Sequence, residues 1–370
     1  MGCSEWARCW LFIESVHGIG APRWIGLSKT MGVSEIAEMI RSEEGRERLT
    51  RMLGRPVSAV DERLVDDQLA LLEKGGYDLV SISDEHYPPL LRQIAVPPPL
   101  LYFKGSLDAL SKPCVCVVGS RRASRRGLIT AGGLARDLSA CGVHVVSGLA
   151  RGIDSAAHEG ALEGKGGTSA VLGCGLDAVY PRENAALAGR IAESGSVLSE
   201  FPLGSLPLRQ NFPRRNRILS GLSCGVVVVE AGPSSGAMGT AMWAVEQGRD
   251  VFAVPGPIDY PGSRGPHRLI RDGARLVEGV EDILAELPSH ATVGCWIDRG
   301  AAHDPQRFTE RERAIVAALD LNPKHIDELV QFCDISPTAI LPVLLDLEMR
   351  GVIASCGGGA YALAAPRRKG

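Results

Sequence analysis

The segment Gln210–Ser220 combines an aromatic ring, a proline, an amide and several guanidinium groups. In chain order these are Phe212, Pro213, Arg214, Arg215, Asn216 and Arg217. Proline disfavours helix at the residue before it, so we expect Phe212-Pro213 to be extended or turning, with a helix over residues 215–222. Guanidinium forks and free N–H groups at a helix start bind anions readily. A solvated, charged helix start is the alternative interpretation of this segment.

Small and basic residues recur after short apolar runs elsewhere in the chain. The segments are Gly119-Ser120-Arg121, Ser147-Gly148, Gly173-Cys174-Gly175, Ser199-Glu200, Glu230-Ala231-Gly232 and Pro255-Gly256. Glycine lets a backbone approach a ligand closely, and serine and arginine donate hydrogen bonds to phosphate oxygens. The pattern therefore predicts a track for a string of phosphates, with Arg182 in Tyr180-Pro181-Arg182-Glu183-Asn184 as a further member.

The apolar runs themselves alternate with helix-length segments. They are Val115–Val118, Val143–Val146, Ser169–Leu172, Val197–Leu198, Val226–Val229 and Val251–Val254. Continuous apolar strands separated by helices predict a doubly wound, mostly parallel α/β sheet of Rossmann-like type. Ligands bind beyond the carboxyl ends of the strands in such sheets, where the small and basic residues lie.

The segments on either side of this sheet differ from it. Residues 1–83 read as a helical domain of SAM or helix-hairpin-helix type, in which His17-Gly18-Ile19-Gly20 is either a phosphate-contacting turn or a tight connector. We expect the Rossmann-like domain over residues 84–287, with a proline-rich connector over 84–113. A linker at 288–306 and a winged helix at 307–365 complete the prediction.

The candidate recognition helix of this winged helix, 336–350, carries one arginine, Arg350. Base reading needs several such side chains, so the helix favours a protein-binding role.

Composition limits the possible classes of protein. The chain has 370 residues, 45% of them hydrophobic and 22% charged, with a net charge of −3, so it is long enough for two or three domains. Residues 111–288 are the one part in which basic residues outnumber acidic ones, 19 against 17. The ten cysteines form no CxxC pair, which is typical of a reducing cytoplasm. No signal peptide or membrane span is expected.

Signals for catalysis are weak. Asp154 and His158 stand four residues apart and would share a helix face, but a cap and a packed histidine explain them as well. The chain has no Walker A sequence and no G-x-G-x-x-G at a strand end, so no cofactor and no enzymatic activity are expected.

Several long motifs, in order over about residues 80–285, resemble the DNA-processing protein DprA (Smf) family. They are Tyr87-Pro88-Pro89-Leu90-Leu91, Val117–Arg121, Val146–Asp154, Val171–Asp177, Tyr180–Asn184, Asn211–Arg217 and Phe252–Gly256. The resemblance implies a cytoplasmic, homodimeric, non-catalytic protein that binds and protects incoming single-stranded DNA. It also implies that the protein loads the recombinase RecA on that DNA in natural transformation.

The family's DNA-contacting positions carry over to fifteen residues of this sequence. They are Gly119, Ser120, Arg121, Ser147, Gly148, Arg182, Asn184, Phe212, Pro213, Arg214, Arg215, Asn216, Arg217, Ser235 and Gly236. The usual Ser-Gly-Ser-Leu-x-Thr-Ala departs here to Ser235-Gly236-Ala237-Met238-Gly239-Thr240-Ala241, which removes one hydroxyl. With 5% aromatic residues, the protein is expected to depend on phosphate contacts and to bind in a salt-sensitive, sequence-tolerant way.

Two alternatives remain open. The segment Gly232–Thr240 is similar to a turn of LOG-type nucleoside-monophosphate phosphoribohydrolases, but Trp243 stands where their catalytic glutamate belongs. The second alternative is a scaffold whose strand ends bind nothing and whose terminal domains recruit partners.

Overall fold

The computed structural model describes residues 5–16, 18–287, 309–319, 324–333, 335–349 and 352–363. The chain divides into two compact units, one of Met1–Ser139 with Val143–Glu278 and one of Ala140–Gly142 with Gly279–Gly370. The predicted linker at 288–306, His17 and Arg350 lie outside the described residues.

The first unit contains a nine-stranded sheet. Its strands are β1 (Asp78–Ser81), β2 (Leu100–Gly105), β3 (Cys114–Val118), β4 (His144–Ser147), β5 (Thr168–Leu172), β6 (Ser196–Ser199), β7 (Gly225–Val228), β8 (Asp250–Ala253) and β9 (Arg275–Leu276). The order across the sheet is β1-β2-β6-β5-β4-β3-β7-β8-β9. The strands from β6 to β9 are parallel, whereas β2 pairs antiparallel with both β1 and β6. The mostly parallel α/β sheet predicted from the apolar runs is confirmed.

Helices precede and separate these strands, and one more, in the second unit, follows them. They are α1 (Glu5–Glu14), α2 (Ala21–Ser28), α3 (Val33–Arg41), α4 (Glu43–Leu53), α5 (Glu62–Gly75), α6 (Pro89–Arg92), α7 (Arg125–Ala140), α8 (Ile153–Ala161), α9 (Ala185–Ser194), α10 (Asn211–Gly221), α11 (Gly236–Glu246), α12 (Arg264–Arg271) and α13 (Val280–Leu284). Short 3-10 turns occur at Asp108–Ser111, Arg182–Asn184 and Pro261–Ser263. Among the described residues, no helix is both long and apolar enough to cross a membrane.

Alternate residues of each buried strand face opposite sides of the sheet, and each side has its own core. Leu172 packs in one core with the N-terminal helices, whereas its neighbour Val171 packs in the other, with α10 and α11. Trp10 and Trp24 of the N-terminal helices are fully buried in the first core. The N-terminal helices therefore cover one face of the sheet rather than forming a separate body.

The strand order reverses direction at β3, which has β4 on one side and β7 on the other. The Ser120 N–H donates to the Glu230 carbonyl at 2.6 Å and so holds the ends of β3 and β7 together. A parallel sheet opens a crevice at such a reversal, because the flanking helices lie on opposite faces. The crevice beyond the ends of β3 and β7 is therefore the candidate ligand site.

The second unit contains three further helices and a small sheet. The elements are α14 (Glu310–Ala318), β10 (Lys324–His325), α15 (Ile326–Cys333), α16 (Pro337–Met349), β11 (Ile353–Gly357) and β12 (Ala360–Leu363). The strands form an antiparallel sheet in the order β10-β12-β11. Ile315, Leu329, Ile340 and Leu344 pack in its core. The predicted winged helix is confirmed.

Some sequence-based expectations differ from the structure. β1 belongs to the sheet although it precedes the predicted boundary at residue 84, and the two-residue strand β9 was not predicted. The helix predicted over 215–222 begins earlier, at Asn211, so Phe212-Pro213 is its first turn and not an extended segment. Proline is tolerated there because the first N–H groups of a helix have no intrahelical partner.

Candidate nucleic-acid interface

An open cleft of about 880 Å³ lies beyond the ends of β3 and β7. It is lined by the turn after β3, by the first turns of α10 and α11 and by Tyr180. The residues of the cleft that were also predicted to contact DNA are Gly119, Ser120, Arg121, Phe212, Pro213, Arg215, Asn216, Ser235 and Gly236. The tertiary fold therefore brings together three predicted segments that are as much as 117 residues apart in sequence, as with Gly119 and Gly236.

An arginine and two aromatic rings form a stack at the edge of the cleft. The Arg121 guanidinium lies 5.2 Å from the centre of the Phe212 ring, within the range of a cation–π contact. The Tyr180 ring lies 5.9 Å from the Phe212 ring, centre to centre, at 56°. Tyr180 is 42% exposed, and Phe212 is half-buried against Gly173, where a Cβ atom would lie 3.1 Å from the ring. Low aromatic content therefore does not exclude stacking, since two of the thirteen Phe and Tyr side chains meet here.

Arg215 is buried, although it was predicted to lie on an exposed track. One of its terminal nitrogens donates to the Gly148 carbonyl at 2.9 Å and to the Val171 carbonyl. It therefore joins α10 to the ends of β4 and β5. A Cβ atom at Gly148 would overlap the guanidinium, so the glycine makes room for it. Burial lowers the pKa of Arg215, and the neighbouring carboxylate of Asp154 opposes that change.

Arg214 and Arg217 point towards Glu200 and are not among the residues that line the cleft. Arg217 is buried, and its guanidinium lies 2.5 Å from the Glu200 carboxylate. Arg214 is half-exposed, contacts the same carboxylate at 3.0 Å and lies 5.3 Å from the Phe201 ring centre. Of the three arginines, only Arg215 reaches the cleft, because a helix turns its side chains by about 100° per residue.

Four other predicted residues make contacts within the protein or lie outside the large cleft. The buried Ser147 hydroxyl donates to the Val117 carbonyl at 2.6 Å. Gly148 lines a small adjoining pocket together with Arg121 and Tyr180. The Asn184 amide donates to the Leu149 carbonyl at 2.8 Å and to the Ser155 hydroxyl at 2.9 Å. Arg182 is exposed and does not line either cavity.

The start of α11 forms the wall opposite the aromatic stack. The Ser235 hydroxyl caps the helix by accepting from the Ala237 N–H at 3.4 Å. The Asn216 amide donates to the Gly236 carbonyl at 3.1 Å and so fixes α11 against α10. Because this helix start carries no acidic residue and the helix dipole gives it a partial positive charge, it favours an anion. The substitution of Ala237 for the family's serine leaves Ser234 and Thr240 as the other hydroxyls that line this wall.

The weak catalytic pair does not form in the structure. Asp154 is buried at the cleft floor, where burial raises the pKa of its carboxyl group to about 6. His158 is fully buried on the same helix, and its Nδ1 contacts the Thr168 hydroxyl at 2.7 Å. Burial lowers the pKa of His158 to about 3. The histidine is therefore a neutral core residue that no substrate in the cleft reaches.

Several residues that line the cleft were not among the predicted DNA contacts. Arg122, Tyr180 and Arg209 are exposed there, and Asp154 forms part of the floor. Arg122 directly follows a predicted contact, and Arg209 precedes the arginine-rich helix. Their proximity in sequence to predicted DNA contacts could therefore have identified both as cleft residues. Four further arginines, Arg264, Arg268, Arg271 and Arg275, are divided between α12 and β9 and do not line the cleft.

Comparisons with known proteins agree with this architecture. The family model described as DNA recombination-mediator protein A matches residues 78–288, and the DprA winged helix domain matches residues 300–359. Protein Smf of Escherichia coli is 41% identical over 298 residues, which cover 80% of each chain. A putative DNA processing protein DprA of Mycobacterium tuberculosis is 35% identical over 371 residues, covering 96% of this chain and 94% of that protein.

Two solved structures share the fold and a significant part of the sequence. DprA from Streptococcus pneumoniae superposes with a TM-score of 0.64 at 35% identity, covering 78% of this chain and 99% of that one. DprA from Helicobacter pylori, solved to describe its single-stranded DNA binding mode, gives a TM-score of 0.51 at 30% identity and covers 56% and 93%. With its main domain, its winged helix and its full-length relatives all matched, the chain belongs to the DNA recombination-mediator protein A (DprA/Smf) family.

Proposed function

We propose that this protein binds single-stranded DNA in the cleft beyond β3 and β7 without catalysing a reaction. As a cytoplasmic homodimer it would protect incoming strands and load RecA onto them in natural transformation and recombination. The observation that carries the binding step is the Arg121–Phe212–Tyr180 stack at the edge of a cleft with exposed arginines. Stacked rings hold bases, and arginines hold phosphates, without regard to sequence.

The arrangement suits a single strand better than a duplex. In a duplex the faces of the bases are covered by their neighbours, so the Phe212 and Tyr180 rings would have no base face to contact. Arg121, Arg122 and Arg209 supply positive charge to the cleft, and the start of α11 adds the positive end of its helix dipole. Asp154 is the one carboxylate among the described residues that line the cleft, and it is buried beside Arg215.

Fluorescence anisotropy with labelled oligo-dT, compared with a duplex of equal length, tests the binding step. The double variant Arg121→Ala/Arg122→Ala removes two exposed guanidinium groups from the cleft, and it should lose most of the affinity for the single strand. Arg190→Ala removes an exposed arginine from α9, outside the cleft, and is the matched control. Equal binding by the double variant and the wild type would overturn the proposed site.

Arg215→Ala would be a poor test of DNA contact. It removes the donor for two buried carbonyl groups and leaves space beneath the cleft. Loss of binding in that variant would therefore report damage to the fold as readily as loss of a phosphate contact.

RecA loading and the homodimer need separate measurements. RecA filament formation on DNA coated with single-strand-binding protein should be faster with the wild-type protein than with Arg121→Ala/Arg122→Ala. If the protein binds the bare strand but does not accelerate RecA filament formation, the loading role is excluded.

Light scattering of the free protein should give twice the mass of the 39.3 kDa chain, and a monomer mass would exclude the homodimer.

A further inference from the structure

A second groove, of about 700 Å³, lies between α7 and α8 on the other side of Arg121. Arg121 and Arg122 line both this groove and the DNA cleft, so the two form one continuous surface. The turn after β3 is thus the boundary between two cavities rather than the outer rim of one.

The shared end of the groove is strongly basic. Arg121, Arg122, Arg125 and Arg126 are all exposed around the start of α7. Within the described residues, none of the four forms an ion pair with a carboxylate. The buried carboxylate of Glu230 accepts instead from the N–H and hydroxyl of Ser124 at 2.9 and 2.5 Å. Two of these guanidinium groups, those of Arg121 and Arg122, line the groove itself, and basic groups without an ion pair favour phosphate as the occupant.

The groove is lined by apolar residues, and the residues at which α7 and α8 approach each other are glycines. Ile129 is 66% exposed and Leu128 is 37% exposed, which is unusual for apolar residues beside a basic cluster. Gly132 of α7 meets Gly160 of α8 so closely that a Cβ atom at Gly160 would lie 2.0 Å from the Gly132 carbonyl oxygen. Aliphatic side chains and open glycine backbone suit the flat face of a nucleobase.

Acidic residues limit how far a strand could extend. Glu159 and Glu163 lie on the α8 side of the groove, at its far end, one and two turns beyond Ser155. A phosphate there would be repelled, whereas one beside Arg122 would be attracted. The charge distribution therefore favours a phosphate at the end of the groove that adjoins the cleft.

We propose that the DNA strand continues from the cleft across Arg121 and Arg122 into the α7–α8 groove, where at least one further nucleotide packs on Ile129. This inference rests on the proposed function and adds a second subsite to it. The groove then sets the length of strand that one protomer holds, and the cleft sets whether a strand binds at all.

The test is the affinity of the whole protein for an oligo-dT series of roughly 4 to 20 nucleotides, the range of single-strand site sizes. Ile129→Glu places a negative charge in the groove, and Gly133→Leu fills it. A Cβ atom at Gly133 meets only the Arg136 guanidinium, at 3.9 Å, and leucine favours helix more than glycine does, so this variant should fold. Leu64→Glu, at an exposed apolar position of α5, is the control for added charge.

We expect both groove variants to bind the shortest oligonucleotides with the affinity of the wild type. For longer oligonucleotides their affinity should fall about tenfold, which is the contribution of one stacked base. Groove variants that match the wild type at every length would overturn the second subsite while leaving the cleft intact. Equal loss of affinity at every length would also overturn the second subsite, since the groove would then support the cleft rather than extend it.

A changed molecular mass of Ile129→Glu in light scattering would assign the groove to a protein contact instead. No binding by the wild type at any length would remove the proposed function itself.

Discussion

The Arg121 guanidinium lies 5.2 Å from the centre of the Phe212 ring, although the two residues are 91 positions apart in sequence. Arg121 follows β3 and Phe212 is in the first turn of α10, so the contact closes the cleft along one edge. A base that stacks on Phe212 would share the ring with this cation, and its phosphate would lie within reach of Arg121 or Arg122. The pair thus joins the two kinds of contact that a single strand offers.

Phe212→Ala should lower the affinity for oligo-dT by about tenfold or more, because base–aromatic stacking contributes roughly 1–3 kcal/mol per base. Phe212→Trp should retain most of the affinity, since indole also stacks. Anisotropy titrations at one salt concentration measure both. Phe332→Ala removes a phenylalanine that is 78% exposed on the winged helix and should leave binding unchanged. Full affinity in Phe212→Ala would show that phosphate contacts alone hold the strand.

The logarithm of the binding constant for oligo-dT should fall linearly with the logarithm of salt concentration, with a slope of about −0.7 for each neutralised phosphate. Arg209→Ala removes an exposed cation from the cleft and should reduce that slope by less than one. Titrations at several salt concentrations give the slope directly. Arg190→Ala should keep the wild-type slope, and a wild-type affinity that is independent of salt would contradict the binding mode.

Arg217→Ala should destabilise the fold by roughly 3–5 kcal/mol, because it leaves the buried Glu200 carboxylate without its closest cation. The double variant Arg217→Met/Glu200→Leu removes both charges and should recover much of that loss. Urea unfolding of the three proteins measures the difference. Arg136→Ala, which breaks an exposed ion pair with Asp137, is the control and should change stability by less than about 1 kcal/mol. A mild effect of Arg217→Ala would show that water or Arg214 neutralises Glu200.

Stability should decline as the pH falls below about 6.5, because two core histidines resist protonation. Burial lowers the pKa of His144 to about 4 and that of His158 to about 3. The unfolded chain therefore takes up protons at a higher pH than the folded chain does, and stability is lost from pH 6.5 downwards until the folded histidines also titrate. Thermal unfolding between pH 4 and pH 8 measures the decline.

His158→Leu should flatten that decline. The Thr168 hydroxyl already donates to the Val145 carbonyl at 2.7 Å, so it keeps its bond when the imidazole is removed. Asp154 works in the opposite direction, because burial raises the pKa of its carboxyl group from 3.8 to about 6. Its contribution is present below pH 3.8 and lost as the pH rises through 6, so Asp154→Asn should make the acid decline steeper. A decline of equal steepness in His158→Leu and the wild type would assign it to other groups.

The sequence by itself determined the kind of fold and indicated the edge of the sheet at which the candidate cleft lies. Short β-branched runs bury both faces of a strand only in a parallel sheet covered by helices, and small residues after such runs mark the carboxyl edge. The candidate recognition helix was predicted over residues 336–350 and is observed over Pro337–Met349, because local apolar periodicity defines it.

Only the tertiary structure decided which predicted side chains face the cleft. Arg214, Arg215 and Arg217 look equivalent in the sequence, but the helix directs Arg215 to the carbonyls of Gly148 and Val171 and directs Arg217 to Glu200. These partners come from other strands, so no local pattern identifies them. Packing between distant segments likewise brings Tyr180 beside Phe212 and connects the cleft to the α7–α8 groove. Residue type thus defined which groups were available, and long-range contacts determined which of them remain free to meet a ligand.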